Sequence, residues 1–307
     1  MKKIAFIVNP ISGVSHKEVI VLYLKSLFTA HNGYEPLFYK TKCAGDAYAK
    51  AGELSVEGYD TVVAVGGDGT VNEVARGLVN SRTKMGIIPV GSGNGLARHL
   101  GIPISYQRAA EIIMKESVQK IDAGMINDQL FFCTAGLGFE AVIGDKFNNA
   151  PTRGLMTYME FCAKEYTKYR REIYNIEIGG NRYRYKAFLI TFANSSQWGN
   201  NAFIAPDANI SDGMIDVVVW KRAPLVSMPL LTMGLFLKTI RHSEYIDRFR
   251  CKELHIIRSR EGLIQFDGES RMMGREINVS VLFHAVNAIV PDSFYYDKNI
   301  SGLANFI

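Results

Sequence analysis

The chain has 307 residues, 48% of them hydrophobic, with 35 Lys and Arg against 30 Asp and Glu. That length suits two domains better than one, and the hydrophobic share is that of a chain with a full core. A net charge of +5 is too small for a protein dominated by nucleic-acid contacts, where strong clustering of Lys and Arg is expected.

The N-terminus carries two lysines and then only the short apolar run "IAFIV" before Asn9. A signal peptide needs a longer apolar core, so this run predicts the first strand of a cytoplasmic protein. "SHKEVIVLYLKSLFTAHNG" predicts a helix, with Ser15 and Glu18 spaced as a capping box and Gly33 closing it. "EPLFYKT" reads as a strand and "AGDAYAKAGELSVEGY" as a helix. "DTVVAVGG" is a β-branched strand followed by a helix to about Asn80, and "KMGIIPVGSG" a strand followed by another helix. Continuous apolar strands alternating with helices predict a doubly wound, mostly parallel α/β domain over residues 1–125.

From residue 126 strand-like pieces follow one another, interrupted by helical patterns at about 152–171 and 225–241. This predicts an antiparallel β-sandwich domain over 126–290. The closing segment, 291–307, is free to return to the first domain. Without a repeat or a low-complexity linker, the domains are expected to abut and leave a cleft. Cys43, Cys133, Cys162 and Cys251 are scattered with no CxxC pair, so they read as buried thiols in a reducing compartment. No stretch reaches the roughly 18–20 apolar residues of a membrane span.

Three predicted parallel strands end in Gly- or Pro-marked turns: Asn9-Pro10-Ile11-Ser12-Gly13, Gly66-Gly67-Asp68-Gly69-Thr70, and Pro89-Val90-Gly91-Ser92-Gly93-Asn94-Gly95. Ligands bind beyond the carboxyl ends of strands in open parallel sheets. Glycines let backbone N–H groups approach an anion, and the following helix points its positive end at the same place. One such turn alone is often only a tight turn; three at one sheet edge point to phosphate. The pattern GxxxxGK[ST] is absent, and no GxGxxG follows the first strand, so neither a P-loop nor a dinucleotide fingerprint is present.

"NPISG", "GGDGTVNEV" and "PVGSGNGLAR", with "NSSQWGNNAFIAPDANISDGMIDVVVW" and "LIQFDGE" further on, resemble the diacylglycerol kinase catalytic-domain family, which includes bacterial lipid kinases, sphingosine kinases and ceramide kinase. The resemblance covers nearly the whole chain. It implies an N-terminal domain like those of NAD kinases and phosphofructokinases, ATP and Mg²⁺ as cofactors, and a lipid hydroxyl as acceptor. By that resemblance Asn9, Pro10, Ile11, Ser12, Gly13, Thr41, Gly66, Gly67, Asp68, Gly69, Thr70, Asn72, Glu73 and Ser92 hold the nucleotide. Asp68 orients the catalytic Mg²⁺, directly or through water. Glu269 is the general base that takes the hydroxyl proton, although from the residues alone "FDGES" reads as a hairpin turn. Asp212, with the carbonyls of Asn209 and Met214, is the implied structural Mg²⁺ site. An Asp-Gly turn before a strand is the plainer reading there.

The acceptor is open. Bacterial diacylglycerol kinases usually have Thr in place of Ser92 and Asp in place of Gly95, and the Ser-Gly-Asn pattern followed by a small residue is similar to sphingosine kinases. A sphingoid base carries an ammonium that wants a carboxylate. Glu140 and Asp145 are the candidates, against the reading of both as a solvated helix end; diacylglycerol would need no such acid. Residues 223–237 form an uncharged run flanked by Lys221, Arg222, Lys238, Arg241 and His242. The run suits either shallow insertion at an anionic membrane surface or a buried helix. Arg153, Lys164, Lys168, Arg170 and Arg171 charge one helix, and Arg182, Arg184 and Lys186 fall on one strand face. Charged faces of this kind are usually solvated. The expectation is thus a lipid kinase at the periphery of a membrane, without a nucleic-acid partner. A homodimer is allowed. The rivals are an NAD kinase-type enzyme acting on a soluble metabolite, and a non-catalytic lipid- or nucleotide-binding protein.

Overall fold

The computed structural model describes residues 1–11, 17–31, 33–150 and 155–294. Ser12, Gly13, Ser15, Arg153 and the segment from 295 on, all singled out above, lie outside the described residues. By contacts the chain divides into two units, Met1–Ile121 with the segment from His284 onward, and Asp122–Phe283. The sequence boundaries drawn above were 125/126 and 290/291.

In the first unit β1 (Lys2–Val8), α1 (Lys17–Ala30), β2 (Tyr34–Lys40), α2 (Asp46–Val56), β3 (Thr61–Gly66), α3 (Asp68–Gly77) and β4 (Lys84–Pro89) alternate, followed by α4 (Gly95–His99) and α5 (Tyr106–Lys115). The strands run parallel in the order β2-β1-β3-β4. Val62 to Val65 and Ile4 to Val8 are buried, as strands covered by helices on both faces must be. Because the order reverses between β1 and β3, the carboxyl ends of those two strands form the topological switch point, where such sheets bind ligands. Asn9 and the Gly66–Thr70 turn occupy it.

β5 (Val118–Ile126) leads out of the first unit. The second unit then comprises β6 (Gln129–Phe131), β7 (Thr134–Gly138), α6 (Phe139–Asn148), α7 (Leu155–Tyr166), β8 (Glu172–Ile178), β9 (Asn181–Ala187), β10 (Leu189–Ala193) and β11 (Ile215–Trp220). After these come α8 (Met228–Phe236), β12 (Ile246–Cys251), β13 (Glu253–Arg258), β14 (Gly262–Phe266), β15 (Glu269–Met273) and β16 (Glu276–Ile289). One antiparallel sheet runs β12-β11-β10-β7-β14-β15; the other joins β16, β13, β8 and β9. Leu137, Ile190, Phe192, Val217 and Ile264 of one sheet share a core with Tyr174, Ile176, Ile256, Ile277 and Val279 of the other, which is the sandwich the alternating strands predict. On β9 the alternation is visible residue by residue, with Arg182, Arg184 and Lys186 exposed and Tyr183 and Tyr185 turned onto the core beside Phe249.

β16 ends in the first unit. Asn287 and Ala288 pair parallel to Lys84 and Met85 of β4, Asn80 N–H donates to the Ala285 carbonyl at 2.8 Å, and Val290 N–H to the Ser117 carbonyl at 2.9 Å. That pairing moves the boundary to 283/284. The helix α6 does not stand out in the sequence, because it is short and Gly144 inside it lowers its propensity. Cys251 is buried as expected, but Cys43 is exposed in the loop between β2 and α2. Among the described residues no helix is long and apolar enough to cross a membrane.

Candidate active site

At the switch point the turns are tied to one another by their own backbones. Asn9 N–H donates to the Val65 carbonyl at 3.1 Å and Thr41 N–H to the Val8 carbonyl at 2.9 Å. The Asn9 side chain donates to Thr70 Oγ1 at 3.1 Å and accepts from Ile11 N–H at 2.9 Å. Lys17, which the sequence reading left inside α1, donates from Nζ to the Asn9 carbonyl at 2.7 Å. Burial pulls its amine below the usual lysine range. The amine is thereby anchored beside the first turn, at a position outside "NPISG".

The "GGDGT" and "GSGNG" turns touch backbone to backbone. A Cβ on Gly91 would sit 2.5 Å from Gly67 Cα and 2.9 Å from Asn94 Oδ1, so glycine at 91 is a packing requirement. Asn94 takes the left-handed conformation, φ 52, and its amide brackets Gly91. Nδ2 donates to the Gly91 carbonyl at 2.6 Å and Oδ1 accepts from Gly91 N–H at 2.9 Å. Asp68 closes the arrangement, with Oδ2 accepting from Asn94 N–H at 2.8 Å and Oδ1 from Gly95 N–H at 2.6 Å. Burial pushes the Asp68 carboxyl above the ordinary range, and these N–H groups and Arg98 draw it back. Asp68 therefore locks the two turns together, and its remaining lone pairs suit a hard cation directly or accept a hydrogen bond from water bound to one.

Gly69, Ser92, Pro10 and Ile11 are exposed around this cluster, Gly67, Thr41 and Asn72 are partly so, and Gly66 and Thr70 are buried beneath it. Glu73 faces elsewhere. Its two oxygens accept from Gly45 N–H at 2.9 Å and Ala47 N–H at 3.1 Å, so it caps the start of α2.

In the second unit the hairpin reading of "FDGES" and the base reading describe the same turn. Phe266 pairs with Glu269 across β14 and β15, and the two residues between them, Asp267 at φ 46 and Gly268 at φ 94, make a primed two-residue turn. Glu269 is thereby the first residue of β15, with its side chain 62% exposed and Arg271 Nη2 3.8 Å from its carboxylate. The turn is fixed from two sides. The Asp267 carboxylate accepts from Phe132, Cys133 and Thr134 N–H at 2.7, 2.8 and 3.0 Å. Gly268 N–H donates to Gln265 Oε1 at 3.1 Å, while Gln265 Nε2 donates to Glu140 Oε1 at 2.9 Å.

Glu140 is not a solvated helix end. It is 3% exposed, because α6 lies on β7 so closely that a Cβ on Gly136 would strike its carboxylate. Thr191 Oγ1 donates to its other oxygen. Burial pushes the carboxyl up to about 8, with the Thr191 hydrogen bond resisting. Asp145 follows five residues later in the same helix and is half-buried; at about 100° per residue that is roughly 140° around the axis. The two acids thus do not share a helix face.

In the "DANISDG" turn, Asn209 Oδ1 accepts from Ser211 N–H at 3.2 Å and Ser211 Oγ at 3.1 Å, and Asp212 Oδ1 accepts from Met214 N–H at 3.0 Å. Arg250 engages the other Asp212 oxygen, beside pairs of Arg241 and Arg248 with Asp207. The one carboxylate of the implied cation set is thus met by a guanidinium. Among the described residues no group of three or more His, Cys, Asp or Glu is placed to hold a metal.

Residues 3–126 match the diacylglycerol kinase catalytic domain family, and residues 133–289 match the YegS C-terminal NAD kinase beta sandwich-like domain. A curated relative named diacylglycerol kinase, from Bacillus subtilis, is 31% identical over 95% of this chain and 97% of its own length. Another of that name from Staphylococcus haemolyticus is 28% identical over 88% of this chain and 83% of its own. Among solved structures, a putative diacylglycerol kinase from Bacillus anthracis superposes with a TM-score of 0.78 at 24% identity, over 95% of this chain and 98% of that one. An NAD kinase from Archaeoglobus fulgidus in complex with ATP superposes with a TM-score of 0.55 at 15% identity, covering 99% of both chains. At such identities the two structures speak for the fold.

Proposed function

The chain belongs to the diacylglycerol kinase family, and from that membership we propose that this kinase transfers the γ-phosphate of ATP to the hydroxyl of a membrane lipid, with diacylglycerol as the preferred acceptor. The observation that carries the reading is the relative named diacylglycerol kinase, 31% identical over 95% of the chain.

The switch-point turns supply what the nucleotide needs. Backbone N–H groups of 67–70, the Thr70 and Ser92 hydroxyls and the Lys17 amine bind phosphate oxygens. Asp68 holds the two Gly-rich turns in register and would hold Mg²⁺, directly or through water. Mg²⁺ supplies neutralisation of phosphate charge in the reaction. Glu269, exposed at the head of β15, accepts the proton of the lipid hydroxyl as its oxygen bonds to the γ-phosphorus. The bond from phosphorus to the β-phosphate oxygen breaks, and ADP leaves with the electron pair.

Diacylglycerol is preferred over a sphingoid base on electrostatic grounds. A carboxyl pushed up to about 8 by burial is mostly neutral at pH 7, and Glu140 already satisfies Thr191 and Gln265. It offers little charge to an ammonium. The test is transfer of labelled γ-phosphate, with Mg²⁺, to detergent-dispersed diacylglycerol, a sphingoid base, ceramide, a polyprenol and NAD. Label is expected in diacylglycerol, and lost in both Glu269→Ala and Asp68→Ala with the fold intact. Label in the sphingoid base alone would refute the acceptor assignment, label in NAD alone would refute a lipid substrate, and full turnover in E269A would remove the base.

A further inference from the structure

The apolar run 223–237 is partly core and partly surface. On α8, Leu231 and Leu235 pack into the core with Trp220, Ile204 and Ile246. On the other side Leu230 and Met233 lie three apart on the helix, with Val226 in the 3-10 turn Leu225–Ser227 just before it and Leu237 at its C-terminal cap, all four exposed. Val226 is 86% and Leu230 67% exposed, and Leu225 and Phe236 widen the stripe. A helix apolar all round is normally covered all round, and large apolar side chains contiguous on a surface mark an interaction site. No charged residue interrupts positions 223–237.

The cations at the two ends identify what covers it. Arg222, exposed at one end, lies over the Tyr166 ring at 5.6 Å, and Lys238, exposed at the other, over the Phe203 ring at 4.5 Å. Among the described residues neither has a carboxylate at ion-pair distance, whereas Lys221 and Arg241 next to them are paired with Asp247 and Asp207. Glu244 and Asp207 are exposed acids near this rim, Asp207 being engaged by Arg241. Cationic heads resting on aromatic rings at the two ends of an apolar stripe suit an interface with hydrocarbon in the middle and phosphate at the edges. We infer that the outer face of α8 is the surface by which the protein seats on an anionic lipid bilayer, with Val226, Leu230, Met233 and Leu237 entering the acyl boundary and Arg222 and Lys238 meeting lipid phosphates. This rests on the lipid-kinase reading for its purpose, which is to bring the acceptor within reach.

The test is co-sedimentation of the full chain with vesicles containing roughly 30% anionic lipid, compared with neutral vesicles. Each large aliphatic side chain buried in hydrocarbon is worth about tenfold or more in partitioning. V226D/L230D should therefore lower binding at least about tenfold, with an unchanged melting curve, since both positions are exposed. R222Q/K238Q should lose the preference for anionic over neutral vesicles. V226D/L230D should still phosphorylate a short-chain diacylglycerol dissolved as monomer. The inference is overturned if the wild type ignores vesicles, if V226D/L230D binds them normally, or if that variant changes elution from dimer to monomer with no vesicle binding by either protein. That last result would put a second copy on the face. If binding follows the stripe but neither protein phosphorylates the soluble lipid, the kinase reading fails and the surface stands.

Discussion

Replacing Asp267 tests the idea that the turn carrying Glu269 is held by charge-assisted hydrogen bonds from the segment Phe132–Thr134 that leads into β7. Its carboxylate takes three backbone N–H groups, at 2.7, 2.8 and 3.0 Å, and two of the donors belong to Phe132 and Thr134, which are 1% and 2% exposed. Water does not reach those two once the carboxylate is gone, and each orphaned donor costs about 1–3 kcal/mol. Asp267 also sits at φ 46, where alanine adds roughly 1 kcal/mol of backbone cost and asparagine little. Asp267→Ala should thus destabilise by about 4 kcal/mol, and Asp267→Asn, which keeps one oxygen and tolerates the turn, by about 2 kcal/mol. Both tryptophans, Trp198 and Trp220, lie in the second unit, so fluorescence during guanidinium unfolding reports on the part of the molecule concerned. A loss below about 1 kcal/mol in D267A would refute the reasoning, because it would mean that the three N–H groups find other partners.

Three further outcomes follow from the same structure. Glu116 accepts from Lys2, Lys84 and Tyr34, and although burial pushes its carboxyl up, these partners outweigh it and hold it down at about 2, against 4.5 unperturbed. A depressed carboxyl stabilises above its unfolded value and loses that contribution as pH falls. By calorimetry, E116Q should therefore melt below the wild type at pH 7, with the gap closing between about pH 4.5 and 2. Glu140 has the opposite sign, raised to about 8 from 4.5. The wild type should weaken relative to E140Q as pH rises from about 5 towards 8, and parallel unfolding curves would refute the neutral carboxyl. Finally, Gly91→Ala places a Cβ 2.5 Å from Gly67 Cα, whereas Gly69→Ala meets nothing within 4 Å. Calorimetry should show G91A losing about 1–3 kcal/mol and G69A close to neutral.

The α/β unit was legible because its strands are continuous β-branched runs and its turns carry glycine where backbones meet. The sandwich was legible from period-two alternation, as in "NRYRYK". What stayed hidden is of two kinds. Asp267, Gln265 and Glu140 act through partners far along the chain, Phe132 for one and Thr191 for another, and no local spacing records such pairs. Glu140 even reads as a charged helix end, since burial is decided by α6 lying on β7. The return of β16 was hidden for the same reason, because pairing of Ala288 with Met85 leaves no periodic trace. Lys17 escaped because it is the first residue of a recognisable helix and reads as part of that helix.

The pairing of β16 with β4 also bears on the order in which the chain acquires structure during synthesis. Asn287 and Ala288 close the β4 side of the first sheet, so on a ribosome that edge waits, unpaired, while the residues of the second unit emerge. The usual expectation is that the N-terminal domain folds first. Here the sandwich has nearly all of its strands before the first unit has its last one. An exposed parallel edge is a template for unwanted pairing, and a nascent chain stalled before residue 284 would present one. Expression of residues 1–121 alone should give an aggregation-prone fragment, whereas a single chain in which 284–294 is joined to 121 through a flexible linker restores the missing strand.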